Sequence, residues 1–209
     1  MLCNLGGADM KKIICLAICL LLLCGCGNTD PVKNDDQHEI KTEVKLPFED
    51  TIEMVFLSGA GGWGTSISLH NDGSFTGEYH DSEMGDMGDD YPDGTVYLCK
   101  FEGKFKDIEK IDDNSYSLVL DKVETEVETD KEWIEDNIRY IASVPYGIDG
   151  GKEFIFYTPQ MPIEGLSEEF SSWRPGRLLS TKESQEKLLV YGLYNKNDGS
   201  GFFSQDFIE

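Results

Sequence analysis

Residues 63–81, WGTSISLHNDGSFTGEYHD, decide the fold. From Trp63 to Leu69, large or β-branched side chains alternate with small or polar ones, and the alternation resumes from Phe75 to Tyr79. A period of two predicts β-strands that bury one face. The sequence NDG at 71–73 favours a tight turn. The stretch therefore predicts a β-hairpin with one apolar face.

The same alternation recurs further along the chain. It is clear in TVYLCKFEGKFKDI (95–108) and in NSYSLVLDKV (114–123), and shorter apolar runs follow. Ser167 is a suitable N-cap for the sequence EEFSSW after it, while residues 130–138 fit either a helix or part of a strand that extends to 141. The pattern predicts a mainly β protein. We expect an antiparallel meander that closes into a barrel or a sandwich, with one or two short helices.

Several blocks of the sequence resemble known proteins. Residues 61–97, together with FEGKF (101–105), YSLVLDKV (116–123) and RYIASVPYGIDGGKEFIFYTP (139–159), resemble uncharacterised lipoproteins and secreted proteins of Gram-positive bacteria. The resemblance covers most of the chain from Ile52 to Phe203. The rhythm of strands and turns is also similar to that of lipocalin-type up-and-down barrels. These resemblances imply an exported protein with a lipocalin-like β fold, and they imply no particular activity.

The apolar stretch near the amino terminus has the order of a secretory signal peptide. The sequence MKKIICLAICLLLLCGCGN begins at Met10, with two lysines, an uncharged apolar run from 13 to 23, and small residues after it. The run is shorter than the roughly 20 apolar residues that a membrane-spanning helix needs. We expect the protein to start at Met10, and residues 1–25 to comprise an upstream extension and a cleaved signal peptide.

The residues at the expected cleavage site indicate a lipid anchor. The sequence LCGC at 23–26 resembles the lipobox of bacterial lipoproteins, in which the last cysteine is lipidated and becomes the mature amino terminus. We expect lipidation at Cys26, with Cys24 as the rival site. The diacylglycerol of such a lipoprotein has two chains, as stable anchoring requires. The sequence therefore predicts a protein held by this lipid on the outer face of the cell membrane.

The composition limits the classes of partner. The chain has 40 acidic and 18 basic residues and a net charge of -22. Because phosphates and anionic headgroups would repel it, the charge argues against nucleic-acid binding and against electrostatic attachment to lipid. Residues 27–45 are polar, so 26–45 is predicted to be a lipidated amino terminus followed by a flexible tether. Residues 46–209 are predicted to form a single β domain. With Cys26 lipidated, Cys99 has no disulfide partner in the mature chain.

An acidic, glycine-containing loop follows the predicted hairpin. Carboxylates at this density in a pliable loop could supply the oxygen ligands that Ca²⁺ prefers, although their spacing does not fit the EF-hand. The simpler interpretation is a solvated hairpin loop. We expect no cofactor, and calcium is the only candidate that the sequence offers. The candidate ligands are Asp81, Glu83, Asp86, Asp89, Asp90 and Asp93.

Aromatic side chains dominate the predicted inward faces. They are expected to form a packed core, because aromatic residues dominate ordinary cores. An eight-stranded barrel is also wide enough to hold one small ligand, so the same residues are a candidate pocket. The candidate pocket residues are Trp63, Phe75, Tyr79, Tyr97, Phe101 and Tyr116.

Three other motifs have simpler structural interpretations. Residues 59–64 match G-x-G-x-x-G, but the alternation after them predicts a strand and not the helix that dinucleotide binding needs. His70 and His80 are predicted about 17 Å apart along the hairpin, too far to share one zinc ion. Cys99 lies on an apolar face, where a cysteine behaves as a small hydrophobe.

No nucleophile, general base or metal triad can be named from the sequence. We therefore expect a surface-displayed binding module and not an enzyme, with a small molecule, a glycan or a protein as its ligand. One alternative is a cell-envelope hydrolase with a catalytic pair of carboxylates from the loop at 81–93. The other is a structural or interaction protein without a ligand pocket.

Overall fold

Eight antiparallel strands close into a barrel in the computed structural model, which describes residues 44–59 and 61–205. Each barrel strand pairs with the barrel strands before and after it in the chain, and the last strand pairs with the first. The antiparallel meander is therefore confirmed, and it closes as a lipocalin-like barrel and not as a sandwich. The strands of the described chain are β1 (Thr51–Leu57), β2 (Trp63–His70), β3 (Ser74–Glu83), β4 (Thr95–Lys110), β5 (Ser115–Thr125), β6 (Glu132–Glu135), β7 (Ile138–Ala142), β8 (Glu153–Tyr157), β9 (Gly192–Asn195) and β10 (Gly201–Ser204).

The β2–β3 hairpin forms as the sequence predicts. Leu69 pairs with Phe75 next to the turn, and Gly64 pairs with His80 near the other end. Gly73 has a φ of +86°, and its N–H donates to the carbonyl of His70 at 2.9 Å. Glycine adopts this left-handed conformation at little cost, which is why the turn falls at NDG.

The hairpin of β6 and β7 branches from the barrel wall. β7 pairs in parallel with the start of β4, with Thr95 opposite Arg139. Residues 130–138, for which the sequence left a helix or a strand open, contain the strand β6. Asp136 and Asn137 have φ values of 50° and 65°, as the two-residue turns of β-hairpins require. Trp133 stacks on Tyr140 across the two strands, with ring centroids 5.4 Å apart.

The segment between β8 and β9 packs on the outside of the barrel. It holds two short α-helices, α1 (Glu168–Ser172) and α2 (Lys182–Glu186). Ser167 caps α1 as predicted, because its hydroxyl accepts from the N–H of Phe170 at 3.1 Å. Phe170 is fully buried against outward-facing side chains of β8 and β10, among them Tyr157 and Phe203. None of the helices in the described ranges is long and apolar enough to cross a membrane.

Candidate functional site

The six candidate pocket residues do lie in the barrel interior, but they fill it. Phe75, Tyr79, Phe101 and Tyr116 are buried, and Trp63 and Tyr97 pack against them. Further rings continue the packing: Phe105 lies 4.9 Å from Phe75 and 4.9 Å from Phe154, measured between centroids. In the described part of the chain, no buried side-chain nitrogen or oxygen lacks a hydrogen-bond partner. The interior is therefore a packed core, and the buried polar side-chain atoms that the structure describes have hydrogen-bond partners.

A loop of residues 143–151 closes one end of this interior. Ile148 is 0% exposed, at the centre of the loop. The loop carbonyls are tied to the barrel wall, because Thr65 Oγ1 donates to Tyr146 at 2.8 Å and Asn195 Nδ2 donates to Gly147 at 3.0 Å. The Tyr146 ring also meets Trp63 edge-on, with centroids 5.0 Å apart. The loop is thus a plug with its own buried side chain.

The segment that precedes β1 closes the opposite end. Leu46 is 2% exposed, and its N–H donates to the carbonyl of Asn71 at 2.8 Å. Phe48 packs on Phe156 and Tyr191, with ring centroids 5.7 and 5.8 Å away. Both ends of the barrel are therefore covered, and an interior ligand would have to displace packed aromatic side chains.

The acidic loop at 81–93 is organised by one arginine that the sequence analysis overlooked. Arg139, from β7, forms an ion pair with Asp86, and its Nε donates to Thr95 Oγ1 at 3.2 Å. The guanidinium also lies 4.6 Å above the centre of the Tyr91 ring. Asp81 and Asp86 are half-buried, while the other four candidate ligands are exposed.

These carboxylates do not gather at one point. No group of three or more His, Cys, Asp or Glu side chains is placed to hold a metal ion within residues 44–59 and 61–205. Calcium binding by this loop stays a prediction. The sequence places Arg139 within a candidate strand, but its pairing with Asp86 joins residues 53 positions apart, which no local pattern reveals.

The remaining motifs lie in separate places. His70 and His80 sit near opposite ends of the hairpin, and His70 Nδ1 is 2.7 Å from Thr51 Oγ1. The glycine-rich motif leads directly into β2. Burial raises the pKa of the Cys99 thiol to about 11, and the charge of Asp149 adds to this. Cys26 and the signal segment 10–25 lie outside the described residues.

An open concavity lies on the outer wall of the barrel. The outward side chains of β2, β3, β4 and the end of β5 surround a space of about 630 Å³. They form two rows across the sheet, because Ser66 pairs with Glu78 and then Lys100, while Thr76 pairs with Glu102 and then Glu124. We call this the concave face. Its charged lining residues are Glu78, Lys100, Glu102, Glu124 and Glu126.

The charges of the concave face are unbalanced. Glu102 stands directly opposite Glu124, a pairing in which like charges repel across neighbouring strands. Glu124 is 3.1 Å from Lys122, but Glu78, Glu102 and Glu126 form no ion pair among the described residues. The alternation in the sequence already places Ser66, Glu78, Lys100 and Glu102 on the face opposite the aromatic side chains. No pattern in the sequence indicates that their face is concave.

Comparisons with protein-family models, with curated proteins and with solved structures find no match to this chain.

Proposed function

We propose that the protein is a lipoprotein held on the outer face of the cell membrane through Cys26, and that its barrel is a binding module that receives its partner on the concave face. The proposal that the partner binds on the concave face rests on the difference between the interior and the outer wall of the barrel. The interior is packed and covered at both ends, whereas the outer wall offers an open space of about 630 Å³. This volume is within the range of ordinary ligand sites.

The chemistry of the face favours a cationic partner, such as a lysine- or arginine-rich segment of a protein. Four of its five charged lining residues are glutamates. A cation placed over Glu102 and Glu124 would relieve the repulsion between them. The net charge of -22 would also draw a basic partner toward the domain and speed its encounter.

The hydrolase alternative is less well supported. It needs two carboxylates that face each other across an open cleft. The acidic loop at 81–93 supplies the proposed pair, and Arg139 already holds the carboxylate of Asp86. A small molecule inside the barrel is likewise less well supported, because the candidate pocket residues are core residues.

Metabolic labelling with an alkyne fatty acid tests the anchor. We expect the parent protein and the Cys24→Ser variant to carry the label, and Cys26→Ser to lose it. Because the two cysteines are two positions apart, this pair of variants also distinguishes the two cleavage registers. Label that persists in Cys26→Ser and disappears in Cys24→Ser would move the anchor to the rival site.

Binding of a fluorescent deca-lysine peptide to the lipid-free mature chain tests the concave face. We expect the double change of Glu78→Gln and Glu102→Gln to weaken binding about tenfold at 0.15 M salt. The control is Glu109→Gln with Glu164→Gln, which removes the same charge from exposed positions outside the face. Equal weakening in both double variants would mean that net charge, and not this face, attracts the peptide.

A further inference from the structure

A second cavity, of about 400 Å³, lies outside the barrel between the end of β1 and the segment 172–176. Val55 and Phe203 pair across β1 and β10 and form its floor with outward-facing side chains. Leu57, Trp173 and Pro175 form apolar walls around it. The lining of this cavity is mainly apolar, whereas the lining of the concave face is polar and acidic.

The walls of this cleft are fixed by contacts outside it. The Trp173 ring packs edge-on against Phe56, with centroids 4.7 Å apart, and also meets Trp63 at 6.2 Å. Leu57 is 46% exposed, so an apolar surface remains open to a ligand. A site that is already formed loses little free energy to ordering when a ligand binds.

Among the lining residues whose side chains the structure describes, one is charged. Arg174 is held in place by two backbone carbonyls, since its Nε donates to Ser171 at 3.4 Å and its Nη1 donates to Ser184 at 3.1 Å. The described lining contains no aspartate or glutamate, in a chain that has 40 of them. An apolar cavity with one fixed polar group is the usual design of a small-molecule site.

We propose that this cleft binds a small amphipathic carboxylate, with the acid head on Arg174 and the apolar body between Leu57 and Trp173. Arginine keeps its charge at all relevant pH values, and its planar guanidinium suits a carboxylate. Charges on distant parts of the surface are screened over about 8 Å at physiological salt, so the acidic surface elsewhere does not prevent an anion from binding here. This site is independent of the proposed partner of the concave face.

Three probes with eight carbon atoms each separate the contribution of the polar head from that of the apolar body. Calorimetry on the lipid-free mature chain would compare octanoate, octanol and octylammonium. We expect octanoate to bind at least tenfold more tightly than octanol, and octylammonium to bind least. Equal affinity for all three probes, or no heat from octanoate at millimolar concentration, would overturn the proposal.

Two variants locate the site. Leu57→Trp fills the cleft without changing Arg174, and we expect it to weaken octanoate binding at least tenfold. Leu179→Trp is the matched control, because Leu179 is similarly exposed, at 43%, and does not line the cleft. We expect Arg174→Gln to lose the preference for octanoate over octanol. Near-UV circular dichroism shows whether Arg174→Gln is folded. If it is not, the Leu57→Trp variant alone tests the site. Unchanged octanoate binding in Leu57→Trp would refute the site.

Discussion

The ring of Phe101 lies over Gly77, its direct partner across β3 and β4. Two positions along the same pair of strands the relationship is reversed, and Phe75 lies over Gly103. Each glycine leaves the space that the opposite ring occupies. The two rings therefore approach the backbone of the barrel wall closely and meet each other edge-on, with centroids 6.3 Å apart.

We expect Gly77→Ala to destabilise the domain by about 1–3 kcal/mol, because the new methyl group overpacks the core. The added Cβ would overlap the Phe101 ring and come within 2.7 Å of the Ser66 carbonyl. Gly85→Ala is the control, since a Cβ at Gly85 has no heavy atom within 4 Å. Urea unfolding at pH 7 measures the free energy of unfolding of both variants. Equal midpoints for the two variants would show that the glycine is not needed.

Asp72 should make the stability of the domain depend on pH. Its carboxylate accepts from the Ser74 hydroxyl at 2.6 Å and from the Ser74 N–H at 2.8 Å, and Lys104 lies 2.9 Å away. These contacts hold the pKa of Asp72 well below its usual range, the Ser74 hydroxyl most of all. A lowered folded pKa contributes stability above the unfolded value of about 3.9, and this contribution is lost as the pH falls through the folded pKa.

We therefore expect Asp72→Ala to cost about 1 kcal/mol at pH 7, a modest value because the side chain is 44% exposed and solvent screens it. The difference from the parent should shrink as the pH falls below 4. Asp113→Ala, which changes a carboxylate that is 95% exposed, is the control. A difference that stays constant from pH 7 to pH 2 would contradict the linkage to this carboxylate.

The Cys99 thiol should be unreactive in the folded protein. It is buried opposite Tyr79 in the barrel interior, and burial raises its pKa to about 11. Since the thiolate is the reactive form, we expect iodoacetamide at pH 8 to leave Cys99 unlabelled in a mature chain with Cys26→Ser until urea unfolds it. Ser82→Cys, at an exposed position of β3, provides a thiol that should react at once. Rapid labelling of Cys99 in the native protein would indicate an open interior.

The plug formed by residues 143–151 should contribute to stability through its buried side chain. We expect Ile148→Ala to cost about 2–5 kcal/mol, the range for deleting a buried aliphatic side chain. Ile134→Ala removes the same atoms from a side chain that is 49% exposed and should cost about 0.5 kcal/mol or less. Thermal unfolding of the two variants compares them. Equal losses would mean that the loop does not pack as a plug.

Local patterns predicted the fold because most of its pairings are local. The NDG turn and the alternation on either side of it specify the β2–β3 hairpin, and neighbouring strands then pair in chain order. The parallel pairing of β7 with β4 had no such signal, because Thr95 and Arg139 are far apart in the chain and no tight turn joins the two strands directly. The bulges between β4 and β5, next to the positive φ of Asp107, were likewise hidden from a pattern of strict alternation.

The candidate site was predicted less well than the fold. Alternation tells which aromatic side chains face inward, but whether they leave a cavity depends on how their volumes fit together. The covering of the barrel by Leu46 and Ile148 depends on contacts between distant parts of the chain. Glu124 joins the concave face only because the register shifts between β4 and β5, whereas strict alternation shows only that Glu78 and Glu102 point outward.

The pairing of β1 with β10 determines when the domain can finish folding. Met54 and Ser204 are partners across this seam although about 150 residues separate them. The outer edge of β1 therefore stays unpaired until β10 is available, and an unpaired edge is a template for aggregation. Pairings of such long range also slow folding, toward milliseconds to seconds. A chaperone that shields unpaired β-strand edges would consequently be needed until β10 is available for pairing.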